Sequence, residues 1–177
     1  VAHGGVEHAR DLDAVRRHLG DAPVVLVGHS FGTQVALEAY RLRPDNVRAL
    51  VLLCGSFGRV THTFKGTDVL ANILPNLIEF VSEHPRLARA IWSQLPAPFG
   101  VEVAGMTRDI CLGAVRPEDV RPYFEHAVHV DFEMFLRMLN EAGEHSAQDL
   151  LPNVGVPALA LAGERDSFTP PAVTGAM

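Results

Sequence analysis

Apolar and polar positions change period several times along the chain, and each change marks an element. Residues 1–20 follow a helical period: Val6, Ala9, Leu12, Asp13 or Val15, and Leu19 form one stripe, with Arg10, Asp11, Arg16 and Arg17 facing away. Gly20 ends that helix and Asp21-Ala22-Pro23 reads as a turn. Val24-Val25-Leu26-Val27 is then an unbroken apolar run, the pattern of a strand buried on both faces. It stops at Gly28-His29-Ser30-Phe31-Gly32. Val35, Ala36, Ala39, Tyr40 and Leu42 carry a second helix as far as Pro44, and Val47 to Cys54 is a second strand closed by Gly55. Helix, strand, helix, strand in this order predicts a parallel sheet with right-handed crossovers.

The period changes after Gly58. From Arg59 to about Gln148 only helical segments occur, separated by prolines. Val69, Leu70, Ile73, Leu74, Leu77, Ile78 and Val81 make one stripe; Leu87, Ala88, Ile91 and Trp92 make another, opened by Pro85. Pro96-Ala97-Pro98 reads as a loop, Pro117 opens a further helix, and Asp131 caps one carrying Phe132, Phe135, Leu136 and Leu139. Strand character returns at Ala158–Ala162, which runs into Gly163-Glu164-Arg165-Asp166. The expected fold class is therefore α/β: a mostly parallel sheet with flanking helices and an inserted all-helical cap. The expected organisation is sheet core at 1–58, helical cap at 59–148, and returning core at 149–177.

Composition narrows the picture without naming a function. With 47% apolar and 20% charged residues the chain reads as globular, and its formal charge of −6, with no basic cluster, argues against a nucleic-acid surface. No apolar run approaches the ~18 residues of a membrane span. Cys54 and Cys111 are far apart and outside any C-x-x-C pair, so two buried free thiols are expected, a single disulfide being the alternative. Reduced thiols fit a cytoplasmic protein. The chain opens on Val1 without an initiator Met, and truncation at both ends is expected.

Gly28-His29-Ser30-Phe31-Gly32 matches G-x-S-x-G, and its place between a buried strand and a helix is the setting of a nucleophile elbow. So tight a turn strains the serine, and glycine at 28 and 32 is expected to remove collisions with flanking side chains. Ser30 would stand above the carboxyl edge of the sheet, with the Phe31 N–H at a helix start, aimed at a developing oxyanion. The plainer reading is a Gly-rich turn whose serine caps the helix. A serine hydroxyl needs a base, and the base needs a group to orient it. Asp166, at the end of the next sheet strand, is the candidate acid. Glu164 is the substitute, and a solvated turn aspartate is the plainer alternative. The strand ending at Cys54 offers only Gly55, Ser56 and Phe57, none of them acidic.

Taken together, the strand and elbow Val24–Gly32, the helix after it, the strand Val47–Cys54, the helical insertion and the segment Ala158–Pro170 resemble the α/β-hydrolase fold family. Gly163-x-x-Asp166-x-x-Thr169-Pro170 is similar to the family's acid-bearing segment. The resemblance implies triad order Ser, Asp, His, and hydrolysis of an ester, amide or related bond through an acyl-enzyme without a cofactor. Two departures qualify it. All nine histidines precede Asp166, so the base is expected beyond Met177, and the chain alone is expected to be inactive. The second oxyanion donor should lie upstream of Val1; His3-Gly4-Gly5 superficially matches a lipase H-G-G, but its spacing makes it the turn before the first helix.

The remaining histidines carry weaker readings. His29, at the variable elbow position, is expected to pack structurally. His126 and His129, near Glu125 and Asp131, sit at helical spacing, yet without a supporting ligand cluster no metal site is expected; one of them lining the cleft beneath the cap is the preferred reading. Phe132, Met134, Phe135 and Met138 are expected to form cap core, a substrate-facing wall being the sharper version. The expectation is a serine hydrolase of a small or medium acyl substrate. Thioesterase, acyltransferase, carbon–carbon hydrolase and perhydrolase chemistry stay open, as does a non-catalytic binding protein on the same scaffold. Oligomeric state is undetermined.

Overall fold

The computed structural model describes residues 3–63, 67–94, 115–166 and 168–177. Pro96-Ala97-Pro98 and Cys111 lie outside them. The chain divides into two compact units, residues 1–72 with 138–177, and residues 73–137.

In the first unit, α1 (Gly5–His18), β1 (Val24–His29), α2 (Gly32–Leu42) and β2 (Val47–Leu53) follow in the expected order. After β2 come α3 (Val60–Thr63) and the start of α4 (Val69–Glu83); a 3₁₀ turn (Leu151–Asn153), β3 (Ala158–Leu161) and α8 (Pro171–Thr174) complete the unit. The three strands form a parallel sheet in the order β1-β2-β3. Leu26 pairs with Leu50 and Leu50 with Ala158, so side chains in these rows share a face. Leu26, Leu50 and Leu52 point into a core with Ala36, Leu37, Ala39 and Tyr40 of α2. The expectation that β1 is buried on both faces is corrected here. Val25 and Val27 are 53% and 63% exposed, as are Leu159 and Leu161 at 51% and 49%. They share the opposite face of the sheet, which no described helix covers.

The stripe expected on α1 is also corrected. Its buried residues are Gly5, Ala9, Asp13 and Arg16, while Val6, Val15 and Leu19 are exposed. For Asp13 the reason is charge pairing. Buried Asp13 lies 2.6 Å from Arg17 and 2.8 Å from Arg43 of the segment after α2, which lets a carboxylate take a core position. Arg43 also bonds Asp21, and this bond is the main reason that carboxyl stays below its ordinary pKa, with Arg17 and Arg16 adding to the effect. Gly20 closes α1 at φ +83°, a left-handed stop suited to glycine.

The segments either side of the helical insertion are tied together by close backbone approach. Gly58 bridges Ser146, and a Cβ at Gly58 would stand 2.1 Å from the His145 carbonyl. A Cβ at Gly143 would likewise meet Thr61 Oγ1 at 2.0 Å. His145 is held here with Nε2 3.4 Å from Glu38 of α2, and Arg41 of α2 grips Asp149 through two bonds of 2.7 and 2.9 Å. Burial lowers the His145 pKa; the nearby Glu38 opposes this and Arg41 adds to it. The native state therefore binds its proton less readily than the unfolded chain. Stability from this group is present above the unfolded value near 6.5 and is lost as pH falls toward the lowered native value. Urea melts from pH 8 to pH 5 should show this loss, and His145→Gln should flatten it; equal slopes in the two proteins would refute the assignment.

The regular elements described in the second unit are all helices. Alongside most of α4, it holds α5 (Pro85–Ser93), α6 (Pro117–Ala127) and the start of α7 (Phe132–Glu144). Val81, Ala88 and Leu136 form its core with Leu77, Ile78 and Phe132. Asp131 Oδ1 accepts the Met134 N–H at 2.9 Å, the expected cap. Pro75 and Pro122 sit inside α4 and α6 rather than at their ends.

Candidate active site

β1 ends at His29 and α2 begins at Gly32, so residues 30 and 31 must turn the chain from strand to helix. Ser30 does so at φ +54°, the left-handed region that a non-glycine residue enters at a cost of about 1–3 kcal/mol. Two backbone bonds hold it: Ser30 N–H donates to Leu53 O at 2.9 Å, and Thr33 N–H donates to Ser30 O at 3.0 Å. The turn folds back so tightly that a Cβ at residue 28 would lie 2.3 Å from Gly32 O and 2.8 Å from Thr33 Cα. Both obstacles are backbone and cannot swing aside. Gly28→Ala is therefore expected to destabilise the protein by roughly 2–4 kcal/mol, read from the midpoint of a denaturant melt. An unchanged midpoint would mean the turn opens freely.

Gly32 does not fit the same account. A Cβ there would meet nothing within 4 Å, so crowding does not explain this glycine. Ser30 itself is exposed, its side chain available to a substrate. Phe31 stands at the N-cap of α2 with helical angles, φ −54° and ψ −31°. Among the described residues its N–H donates to no acceptor, so it remains available to an oxyanion.

Asp166 reaches the same sheet edge from β3. Ser30 N–H bonds β2 at Leu53, and Cys54 N–H bonds β3 at Leu161 at 2.7 Å, so the three strand ends stand in one row. With strands ~4.8 Å apart, the ends of β1 and β3 are separated by about 10 Å, a gap that the Ser30 and Asp166 side chains with one imidazole between them can bridge. The Asp166 carboxylate is fixed by its own loop: Oδ1 accepts the Phe168 and Thr169 N–H groups at 2.9 and 2.8 Å, and Oδ2 accepts Thr169 Oγ1 at 2.9 Å. Glu164 is exposed, and its carboxylate takes no hydrogen bond among the described residues.

The histidines fall elsewhere. His29 is exposed rather than packed, because it shares the uncovered sheet face with Val25 and Val27. His3 N–H bonds Glu141, and Gly4 is the N-cap of α1, so His3-Gly4-Gly5 is the turn before a helix. His8 of α1 meets the Phe31 ring edge-on at 5.6 Å, a neighbour of the elbow that sequence reading missed for want of any local signal. In the second unit, exposed His126 lies on α6, and His129 lines a cavity of about 560 Å³ walled by Trp92 and Phe132, stacked at 4.2 Å. No three His, Cys, Asp or Glu side chains gather as metal ligands among the described residues. Of the expected cap core, Phe132 packs inward, whereas Met134 and Phe135 are exposed. Met138 belongs to the first unit and borders a groove of about 510 Å³ along β1. Neither cavity is lined by Ser30 or Asp166, which stand at the strand ends.

The family model described as alpha/beta hydrolase fold matches residues 4–93, half of the chain and the part that carries the elbow. The chain belongs to the α/β-hydrolase fold family. Solved structures agree on the fold. A thermophilic esterase from Thermogutta terrifontis superposes with a TM-score of 0.71 at 22% identity, covering 99% of this chain and 60% of the esterase. An esterase from Exiguobacterium antarcticum gives a TM-score of 0.65 at 18% identity, covering 99% and 61%. Among curated proteins, the lipase LipV of Mycobacterium tuberculosis is 57% identical over 42 residues, 24% of this chain and 16% of the lipase. The serine protease Hip1 of the same species is 42% identical over 53 residues, 29% of this chain and 10% of the protease. This α/β-hydrolase chain thus spans about 60% of the solved relatives and a small part of the curated ones.

Proposed function

We propose that the chain carries the nucleophile and the acid of a serine hydrolase acting on a small or medium acyl substrate of the carboxylester type. The observation that carries this reading is the strained Ser30, exposed at the carboxyl edge of a parallel sheet, between a crowded glycine and a helix start with a free N–H. Backbone strain of this kind clusters at functional sites. The similarity to esterases and a lipase supports the ester substrate.

In this reading Ser30 Oγ attacks the acyl carbonyl while its proton passes to a histidine oriented by Asp166. The tetrahedral oxyanion is met by the Phe31 N–H. The histidine then protonates the leaving alcohol, and the C–O bond to it breaks to leave an acyl-enzyme. Water, deprotonated by the same histidine, attacks the acyl carbon and returns Ser30. Among the described residues no histidine bonds Asp166. No cofactor enters. The free thiol of Cys54 fits a cytoplasmic setting.

Fluorophosphonate labelling of the full-length gene product tests this. A single adduct on the Ser30 peptide is expected. No adduct on a folded protein would make the scaffold a binding module instead.

A further inference from the structure

We propose that Thr174 is a positioning residue for this reaction, tying the loop that bears Asp166 to the turn that bears Ser30. The inference rests on the triad assignment above and adds to it a residue that no sequence motif marks.

The ladder alone fixes Asp166 weakly. β3 has four residues, all of them exposed, and Asp166 follows only after a further turn. A second connection runs through buried hydroxyls. Thr169 is 4% exposed and bonds the Asp166 carboxylate through both its N–H and its hydroxyl. Pro170 next caps α8, its carbonyl accepting Val173 N–H at 2.8 Å. At the end of that single turn Thr174, 2% exposed, donates its hydroxyl to Gly55 O at 2.9 Å, across 119 positions of sequence.

Gly55 in turn is lodged against the elbow. A Cβ on it would stand 2.1 Å from Thr33 Oγ1 and 2.8 Å from the Ser30 carbonyl oxygen. Thr33 is fully buried and donates its hydroxyl to Gly28 O at 3.3 Å, inside the same turn. Acid loop, α8, Gly55 and elbow are therefore one contiguous chain of contacts. Within it the Thr174 bond is the step that joins the acid side to the nucleophile side. Losing it leaves a buried carbonyl unpaired and frees the far end of the acid loop. Small displacements between reacting groups are costly, up to about 100-fold in rate for 1 Å.

The test compares Thr174→Val and Thr174→Ser in the full-length enzyme, assayed at a temperature where both are folded. The readouts are p-nitrophenyl butyrate turnover and the second-order rate of fluorophosphonate inactivation. Thr174→Val should lower kcat and the inactivation rate about tenfold with KM unchanged, and Thr174→Ser, which keeps the donor, should restore both. A folded Thr174→Val with a lowered melting temperature but native kcat would overturn the proposal, leaving a bond of purely structural value. If Thr174→Val does not fold, Thr174→Cys, a weak donor of similar size, is read by the same two outcomes. Ser30→Ala run in parallel separates the two levels of inference. Turnover surviving in Ser30→Ala removes the triad reading itself, whereas a dead Ser30→Ala beside a fully active Thr174→Val removes only the tie.

Discussion

Replacing Ser30 by alanine in the full-length enzyme is expected to lower ester turnover on the order of 10⁶-fold, to the level of background hydrolysis, while leaving the protein folded. The two halves of that expectation have separate causes. Ser30 Oγ is exposed, and the bonds that hold the turn use backbone atoms, Ser30 N–H to Leu53 O and Thr33 N–H to Ser30 O. Alanine keeps both bonds and the same left-handed strain, so the denaturation midpoint should barely move. The chemistry has no such reserve. With the nucleophile gone, the Phe31 N–H can still polarise a carbonyl but nothing forms an acyl-enzyme, and losses of this size are typical when such a serine is removed. Ser30→Gly should be equally inactive yet more stable by about 1 kcal/mol, because glycine enters φ +54° without strain. Kinetics and urea melts on the two variants check both halves. Retention of more than a few per cent of turnover in either would sink the assignment of the nucleophile.

How much of this arrangement was legible in the sequence depended on how local its causes are. Val24–Val27 followed by Gly28-x-Ser30-x-Gly32 and a helical period announced the elbow, because strand, turn and helix are each set by neighbouring residues. The crowding at Gly28 follows from the turn itself and was legible for the same reason. The helix α1 was read wrongly at Val6, Arg16 and Leu19, and the choice between Asp13 and Val15 stayed open, since what admits Asp13 to the interior is Arg43, thirty positions away and brought close only by folding. The burial expected on both faces of β1 failed similarly: an apolar run states what a strand can bury and does not state what covers it. Thr33 and Thr174 carried no readable signal at all, and Gly55 read only as the end of a strand. A threonine in a short helix looks like any capping residue until the bond to a carbonyl 119 positions away is known.

Asp166→Asn is expected to lower kcat about 10⁴-fold, some 5.5 kcal/mol of barrier, with little change in stability. The loop geometry is what makes this substitution informative. Asp166 Oδ1 accepts two backbone N–H groups, and an asparagine can present its own carbonyl oxygen to both. Its amide nitrogen then takes the place of Oδ2 beside the Thr169 hydroxyl, which rotates from donating to accepting. The loop therefore keeps its bonds, and the variant should fold and melt like the parent. Toward the histidine the exchange is not neutral. A carboxylate accepts the Nδ1–H and leaves Nε2 bare to take the serine proton, whereas an amide N–H at that point favours the opposite tautomer. The same reasoning separates the triad reading from the plainer one. Among the described residues the three bonds on the Asp166 carboxylate come from residues two and three positions later in its own loop, so an aspartate present only to shape that turn would lose nothing on becoming asparagine. Turnover within a few-fold of the parent would thus assign Asp166 to the turn and move the acid elsewhere, with Glu164→Gln as the next variant to assay. A loss near 10⁴-fold at unchanged KM and unchanged melting temperature has no explanation in turn geometry, and it would make Asp166 the group that holds the histidine.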